Sequence, residues 1–139
     1  MGLLKKNDKV GLIASVPLFA GCSKKGLEKI AKIADEIDLP DGHALTRQGA
    51  SGREFFVIVS GTVEVERDGD VVASMGAGDF LGEVALLVDQ PRNATVKATS
   101  PVTVLVVNDR DFRVLLRENP DIQLTILEAL AQRLAPTAT

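Results

Sequence analysis

Apolar positions recur with two different periods along this chain, and the changes of period divide it into three. Between residues 3 and 16, Val10, Leu12, Ile13 and Val16 give an interrupted helical pattern that Pro17 ends. Pro17-Leu18-Phe19-Ala20-Gly21 reads as a tight link. Ser23 then suits an N-cap, with Gly26 where a capping box would carry Glu. Leu27, Ile30, Ala31, Ile33, Ala34 and Ile37 follow at helical spacing. From Leu39-Pro40-Asp41-Gly42 onward the pattern shortens to apolar runs separated by glycine turns, about every 8–12 residues. Glu54 to Ser60 is a continuous apolar run and predicts a buried strand. Thr62 to Arg67 alternates, with Val63 and Val65 on one face and Glu64 and Glu66 on the other. Asp68-Gly69 predicts a hairpin turn, and Val71 to Met75 the returning strand. Strands over Thr95–Ala98 and Val102–Val107 complete a set that predicts a sandwich or jelly roll.

The helical period returns at the end. Asn108 suits the cap of a helix running to about Glu118, and Asn119-Pro120 the start of another. On that last helix Ile122, Leu124, Ile126, Leu127, Leu130, Ala131 and Leu134 cover an arc of about 200°. One buried face needs only about 100°. One flank is therefore expected on the roll, and the other against a ligand, a partner chain or a missing domain, unless the helix is simply buried more deeply.

Composition narrows the classes. A chain of 139 residues with 45% apolar content suits one domain with a single core. No apolar run approaches the length of a membrane span, and no secretory signal is expected. Lys6 stands where a myristoylation signal would need Ser or Thr. Cys22 is alone, which fits a reducing compartment, so a cytoplasmic location is expected. The single His43 follows Asp41-Gly42 and reads as a turn residue, leaving too few soft ligands for a metal enzyme. The net charge of −3 divides unevenly: residues 1–32 carry seven lysines against Asp8 and Glu28, and the remainder is acidic. Nucleic acid is a poor match for that body, and residues 135–139 are too few to supply a helix-turn-helix. An anion would have to bind through a local site. The lysines at the start read as a solvated helix face.

The chemistry concentrates in Gly78 to Val96. A short helix starting near Gly82-Glu83 would aim backbone N–H groups outward, where they attract anions. Gly82 permits close approach to its backbone. Glu83, acceptor-only when ionised, suits hydroxyls, and the forked guanidinium of Arg92 suits a phosphate. Singly, each is an ordinary surface residue. As an ordered set they describe a site for a sugar phosphate.

Gly82-Glu83-Val84-Ala85-Leu86-Leu87 and Pro91-Arg92-Asn93-Ala94-Thr95-Val96 together resemble the phosphate-binding cassette of the cyclic nucleotide-binding domain family. Val16-Pro17-Leu18-Phe19 resembles that family's entry to the roll. Gly61-Thr62-Val63-Glu64-Val65 and Gly76-Ala77-Gly78-Asp79-Phe80 resemble its inner strand and the turn before the site. The resemblance runs from about Val10 to Leu134. It implies a mainly β fold: an eight-stranded, jelly-roll-like β-roll (38–108, cassette 78–96), preceded by a helical segment (1–37) and followed by lid helices (109–134).

The resemblance also implies roles. Arg92 would pair with the cyclic phosphate, helped by backbone N–H groups of Ala85 and its neighbours, Val84 included. Glu83 would accept the ribose 2′-hydroxyl beside Gly82. Asn93 and Ala94 would complete the cassette, and Val65 would line the base pocket. Leu127, Leu130, Arg133 or Leu134 would cover the purine from the lid. Leu81 replaces a common aromatic. Asn93 stands where Ala or Ser often accompanies cAMP and Thr often accompanies cGMP. Asn both donates and accepts, so contacts to the phosphate and to a guanine edge stay open; cAMP is the expected preference. The implied function is a non-catalytic cyclic nucleotide sensor that needs no cofactor or metal and signals through its last helix. A homodimer or an effector domain would engage the terminal helices. The alternative is a ligand-independent dimerisation or docking module on the same fold.

Overall fold

A computed structural model describes residues 4–134, the side chain of Arg133 excepted. Eight strands form two four-stranded antiparallel sheets. Their strands are β1 (Asp35–Leu39), β2 (Ala44–Thr46), β3 (Glu54–Ser60), β4 (Val63–Arg67), β5 (Asp70–Met75), β6 (Phe80–Leu81), β7 (Thr95–Ala98) and β8 (Val102–Asn108). The first sheet runs β1-β8-β3-β6 and the second β2-β7-β4-β5. Helices α1 (Lys6–Ala14) and α2 (Lys24–Lys32) precede the roll, and α3 (Asp109–Glu118) and α4 (Pro120–Leu134) follow it.

Strand β3 explains its continuous apolar run. Phe56 and Ile58 face the space between the sheets and pack with Val63, Val96, Ala98, Val102, Val104 and Val106. Phe55 and Val57 face the other way, into a core shared with Ile13, Phe19, Ile30, Leu86, Phe112, Ile122 and Ile126. Both faces are buried, so neither tolerates polar alternation. Phe19 joins the two ends of the chain, its ring 5.7 Å from Phe55 and 5.8 Å from Phe112. The expected link at 17–21 is thus more than a connection: Leu18 and Phe19 are core.

The second sheet alternates as expected. Val63 and Val65 stand opposite Ala98 and Val96, and Glu64 opposite Lys97. That charge pairing on a solvated face is a favourable cross-strand arrangement. Asp68 and Gly69 close the β4–β5 hairpin with φ of 54° and 87°, the two positive angles a type I′ turn requires.

The helix starts follow the caps, with one exception. Ser23 Oγ accepts the Gly26 N–H at 3.1 Å and Asn108 Oδ1 the Asp111 N–H at 2.8 Å. The Asn119 side chain does not cap α4: its Oδ1 accepts from Lys29 Nζ, and its Nδ2 donates to the Leu115 carbonyl at 2.8 Å. Long-range contact with α2 outcompetes the local cap. The helical segment also ends earlier than residue 37. Helix α2 stops at Lys32, and Ile37 lies on β1, opposite Val104 of β8. Ile33, Ala34 and Ile37 fit a helical period, but the open edge of β8 supplies backbone partners that extend the chain.

Candidate functional site

The stretch from 78 to 96 hangs on the edge of β3. Gly78 N–H donates to the Ile58 carbonyl, and Ile58 N–H to the Asp79 carbonyl, both at 2.8 Å. Strand β6 continues this attachment, with Leu81 opposite Phe56. Gly82 then turns the chain at φ 82° into a 3-10 helix over Glu83–Leu86. Leu86, fully buried, fastens that helix to the core beneath the helices. The return to β7 is stitched to the loop before β3: Arg92 N–H donates to the Ala50 carbonyl and Gly49 N–H to the Arg92 carbonyl, each at 2.8 Å.

Arg92 lies between two glycines. A Cβ at Gly52 would stand 2.0 Å from its Nε, and one at Gly82 would stand 2.5 Å from its Nη1. Only residues without side chains let the guanidinium lie this deep. Its Nη2 donates to the Glu54 carbonyl at 2.7 Å. Burial pushes the Arg92 pKa down, partly offset by the nearby Glu54 charge, yet a guanidinium stays protonated at any physiological pH. The result is a charged fork, partly stripped of water and held, among the described residues, by a single carbonyl.

Two cavities meet at this fork. The outer one, 320 Å³, is lined by Gly82, Glu83, Val84, Ala85, Arg92 and Asn93, with Gln90 and Pro91 at its rim. The inner one, 230 Å³, lies against β4 and β7; Val65, Met75, Leu81, Ala94 and Val96 form its apolar wall and Arg67 reaches it from the end of β4. Gly82, Arg92 and Asn93 belong to both. The arrangement offers an anion and hydroxyl end in the outer cavity and an apolar slot in the inner one.

Every cassette residue expected from the sequence is therefore brought together, and Val65 joins them on the inner side. Two expectations differ from the structure. The Ala85 N–H donates to the Gly82 carbonyl at 3.0 Å, closing the first turn of the 3-10 helix, so it is not aimed at the cavity. Of the expected lid residues, Leu127, Leu130 and Leu134 line neither cavity. Leu127 and Leu130 instead line a 410 Å³ groove with Leu87, Leu116 and Ile126, and Leu134 is exposed; the Arg133 side chain lies outside the described residues. The reason is how α4 docks. Its buried Ile122 packs near Gly26 of α2 and Thr125 against Gly21, which points the helix along the N-terminal helices.

Sequence reasoning overlooked Gly52, Glu54 and Arg67. Gly52 was one turn glycine among many, and Glu54 acts through its carbonyl, which no residue type announces. Arg67 did carry a signal, as the third position after Val63 and Val65 along an alternating strand. Arg53 is a further addition. It bridges Asp89 of the cassette at 2.9 Å and Asp109 of α3 at 3.1 Å, and these carboxylates hold its pKa up, the Asp109 hydrogen bond most of all.

The family pattern of the cyclic nucleotide-binding domain matches residues 36–119. A cyclic nucleotide-gated potassium channel of Rhizobium etli is 36% identical over 122 residues, covering 88% of this chain and 34% of the channel. A cGMP-dependent protein kinase of Caenorhabditis briggsae is 33% identical over 123 residues, covering 84% of this chain and 16% of the kinase. The chain thus spans about a third of the one and under a fifth of the other. Among solved structures, the N-terminal domain of a transcriptional regulator from Streptomyces coelicolor A3(2) superposes with a TM-score of 0.84 at 28% identity, covering 91% of this chain and 94% of that domain.

Proposed function

The chain belongs to the cyclic nucleotide-binding domain family, and from that premise we propose that it is a non-catalytic sensor whose cassette holds the sugar phosphate of a cyclic purine nucleotide. The observation that carries the assignment is Arg92, desolvated between Gly52 and Gly82 and facing a cavity with one carbonyl as its hydrogen-bond partner. A cyclic phosphate offers this fork an anion with the geometry to pair with it. Glu83, on the same cavity wall, accepts the ribose 2′-hydroxyl, and the base enters the inner cavity beside Val65. Asn93, whose amide both donates and accepts, leaves the choice of purine open; Arg67 bears on it.

Signalling follows from where α4 rests. Its leucines stand away from the cavities, so a bound state that draws Leu127 or Leu130 over the base would have to move the helix. A ligand shifts such an equilibrium only by its differential affinity for the two positions. We place the sensor in the cytoplasm; no described helix is long and apolar enough to cross a membrane. Calorimetric titration with cAMP and cGMP tests the assignment. Arg92→Ala is expected to cost roughly 2–5 kcal/mol of binding, on the order of 30-fold to several-thousand-fold in Kd. Equal affinities of wild type and variant would remove Arg92 from its role.

A second reading draws on Leu124, Leu127 and Leu134, exposed at 58%, 62% and 67%. Their face of α4 would serve as a dimer or docking surface independent of ligand. Sedimentation over a concentration series, with and without nucleotide, separates the two: nucleotide-independent dimers without measurable binding favour the module.

A further inference from the structure

The inner cavity differs from the outer one in what it can recognise. Val65, Met75, Leu81, Ala94 and Val96 make it an apolar slot, suited to a flat ring. Arg67 is its one charged residue not shared with the outer cavity. Its Nε donates to the Asn93 carbonyl at 3.1 Å, which fixes the guanidinium beside the slot. Of the carboxylates near it, Glu66, Asp68 and the cross-strand Asp70, Asp68 is engaged elsewhere: its Oδ1 accepts from Gln48 Nε2 at 2.8 Å, while its N–H donates to Gln48 Oε1. Arg67 makes no ion pair among the described residues. With Nε engaged, the four N–H donors on Nη1 and Nη2 remain for a ligand.

We propose that Arg67 reads the base of the bound nucleotide and selects guanine over adenine. This rests on nucleotide binding at the same site and sharpens it to one purine. Guanine presents N7 and O6 as adjacent acceptors along one edge, which matches a guanidinium fork. Adenine presents N7 beside the N6 amino donor, which faces an arginine donor with a donor. The effect outweighs Asn93, whose amide serves either purine by reorienting. Arg67 is absent from the outer cavity lining, so the phosphate falls to Arg92 and the base to Arg67.

Calorimetric titration with cGMP and cAMP of wild type, Arg67→Ala and Arg67→Gln tests this, with thermal melts confirming that each variant is folded. Wild type is expected to bind cGMP about 5-fold to 100-fold more tightly than cAMP. Arg67→Ala should bring that ratio close to one through loss of cGMP affinity. Arg67→Gln, whose amide pairs with adenine N6 and N7, should tip the ratio toward cAMP. A wild-type preference for cAMP, or a ratio unmoved in both variants, overturns the role of Arg67 while leaving nucleotide binding intact. Equal weakening of both nucleotides would assign Arg67 to the phosphate and equally overturn it. Binding of neither nucleotide to wild type would instead overturn the sensor reading itself, and this inference with it.

Discussion

The two cores on either side of β3 are built differently. The one between the sheets draws its buried residues from strands alone: Phe56, Ile58, Val63, Val96, Ala98, Val102, Val104 and Val106. The other is shared between strands and helices and also takes Leu86 from the cassette and Ile122 and Ile126 from α4. The roll therefore provides a floor held by strand-to-strand packing. The helical core is where the cassette and the last helix share neighbours, and Phe55, its ring 6.2 Å from Phe80, lies between cassette and helices. A site built this way can change at its rim without disturbing its floor.

One buried residue from each core gives the largest expected effect. Leu86→Ala and Ile58→Ala should each lower the free energy of unfolding by about 2–5 kcal/mol, measured by urea denaturation. Only Leu86→Ala should also weaken nucleotide affinity, on the order of tenfold, because of these two side chains only that of Leu86 belongs to the cassette. If both variants or neither lose affinity, the distinction between the cores fails.

Gly52→Ala probes the floor at one point. Its Cβ would overlap Arg92 and push the guanidinium from its seat. A loss of affinity of about tenfold is expected from misplacing a charge-assisted contact, with a melting temperature close to wild type. Unchanged affinity would mean that Arg92 reaches its ligand from another position.

The smallest effect lies outside both cores. The Lys6 hydrogen bond and charge hold the Glu28 carboxyl below its ordinary 4.5. A depressed folded pKa contributes stability above the unfolded value, and that stability is lost as pH falls through the folded one. Lys6→Ala should therefore lower the melting temperature slightly at pH 7, and the difference from wild type should shrink once the pH falls below about 4.5 and vanish below the depressed folded value. A difference that persists in acid would point to lost packing.

Long patterned elements were legible in the chain alone. The run Glu54–Ser60, the alternation of Thr62–Arg67, the Asp68-Gly69 turn and the caps Ser23 and Asn108 all describe local geometry, and all appear in the structure. Strands β2 and β6 have three and two residues, too few to show any period. Strand β1 carried a misleading one, since Ile37 continued the spacing of the helix before it.

The cassette was legible for the same local reason: glycine, carboxylate and arginine sit within one short stretch of the chain. Sequence by itself determined which groups could meet a sugar phosphate, because their chemistry belongs to the residue types. Tertiary structure alone decided what surrounds them. It put Gly52 beneath Arg92, turned the Ala85 N–H back onto Gly82, brought Arg67 to the slot behind Asn93 and carried the α4 leucines away from the cavities. Each of these depends on which distant backbone and side chains compete for the same space and the same donors, and no local spacing records that competition.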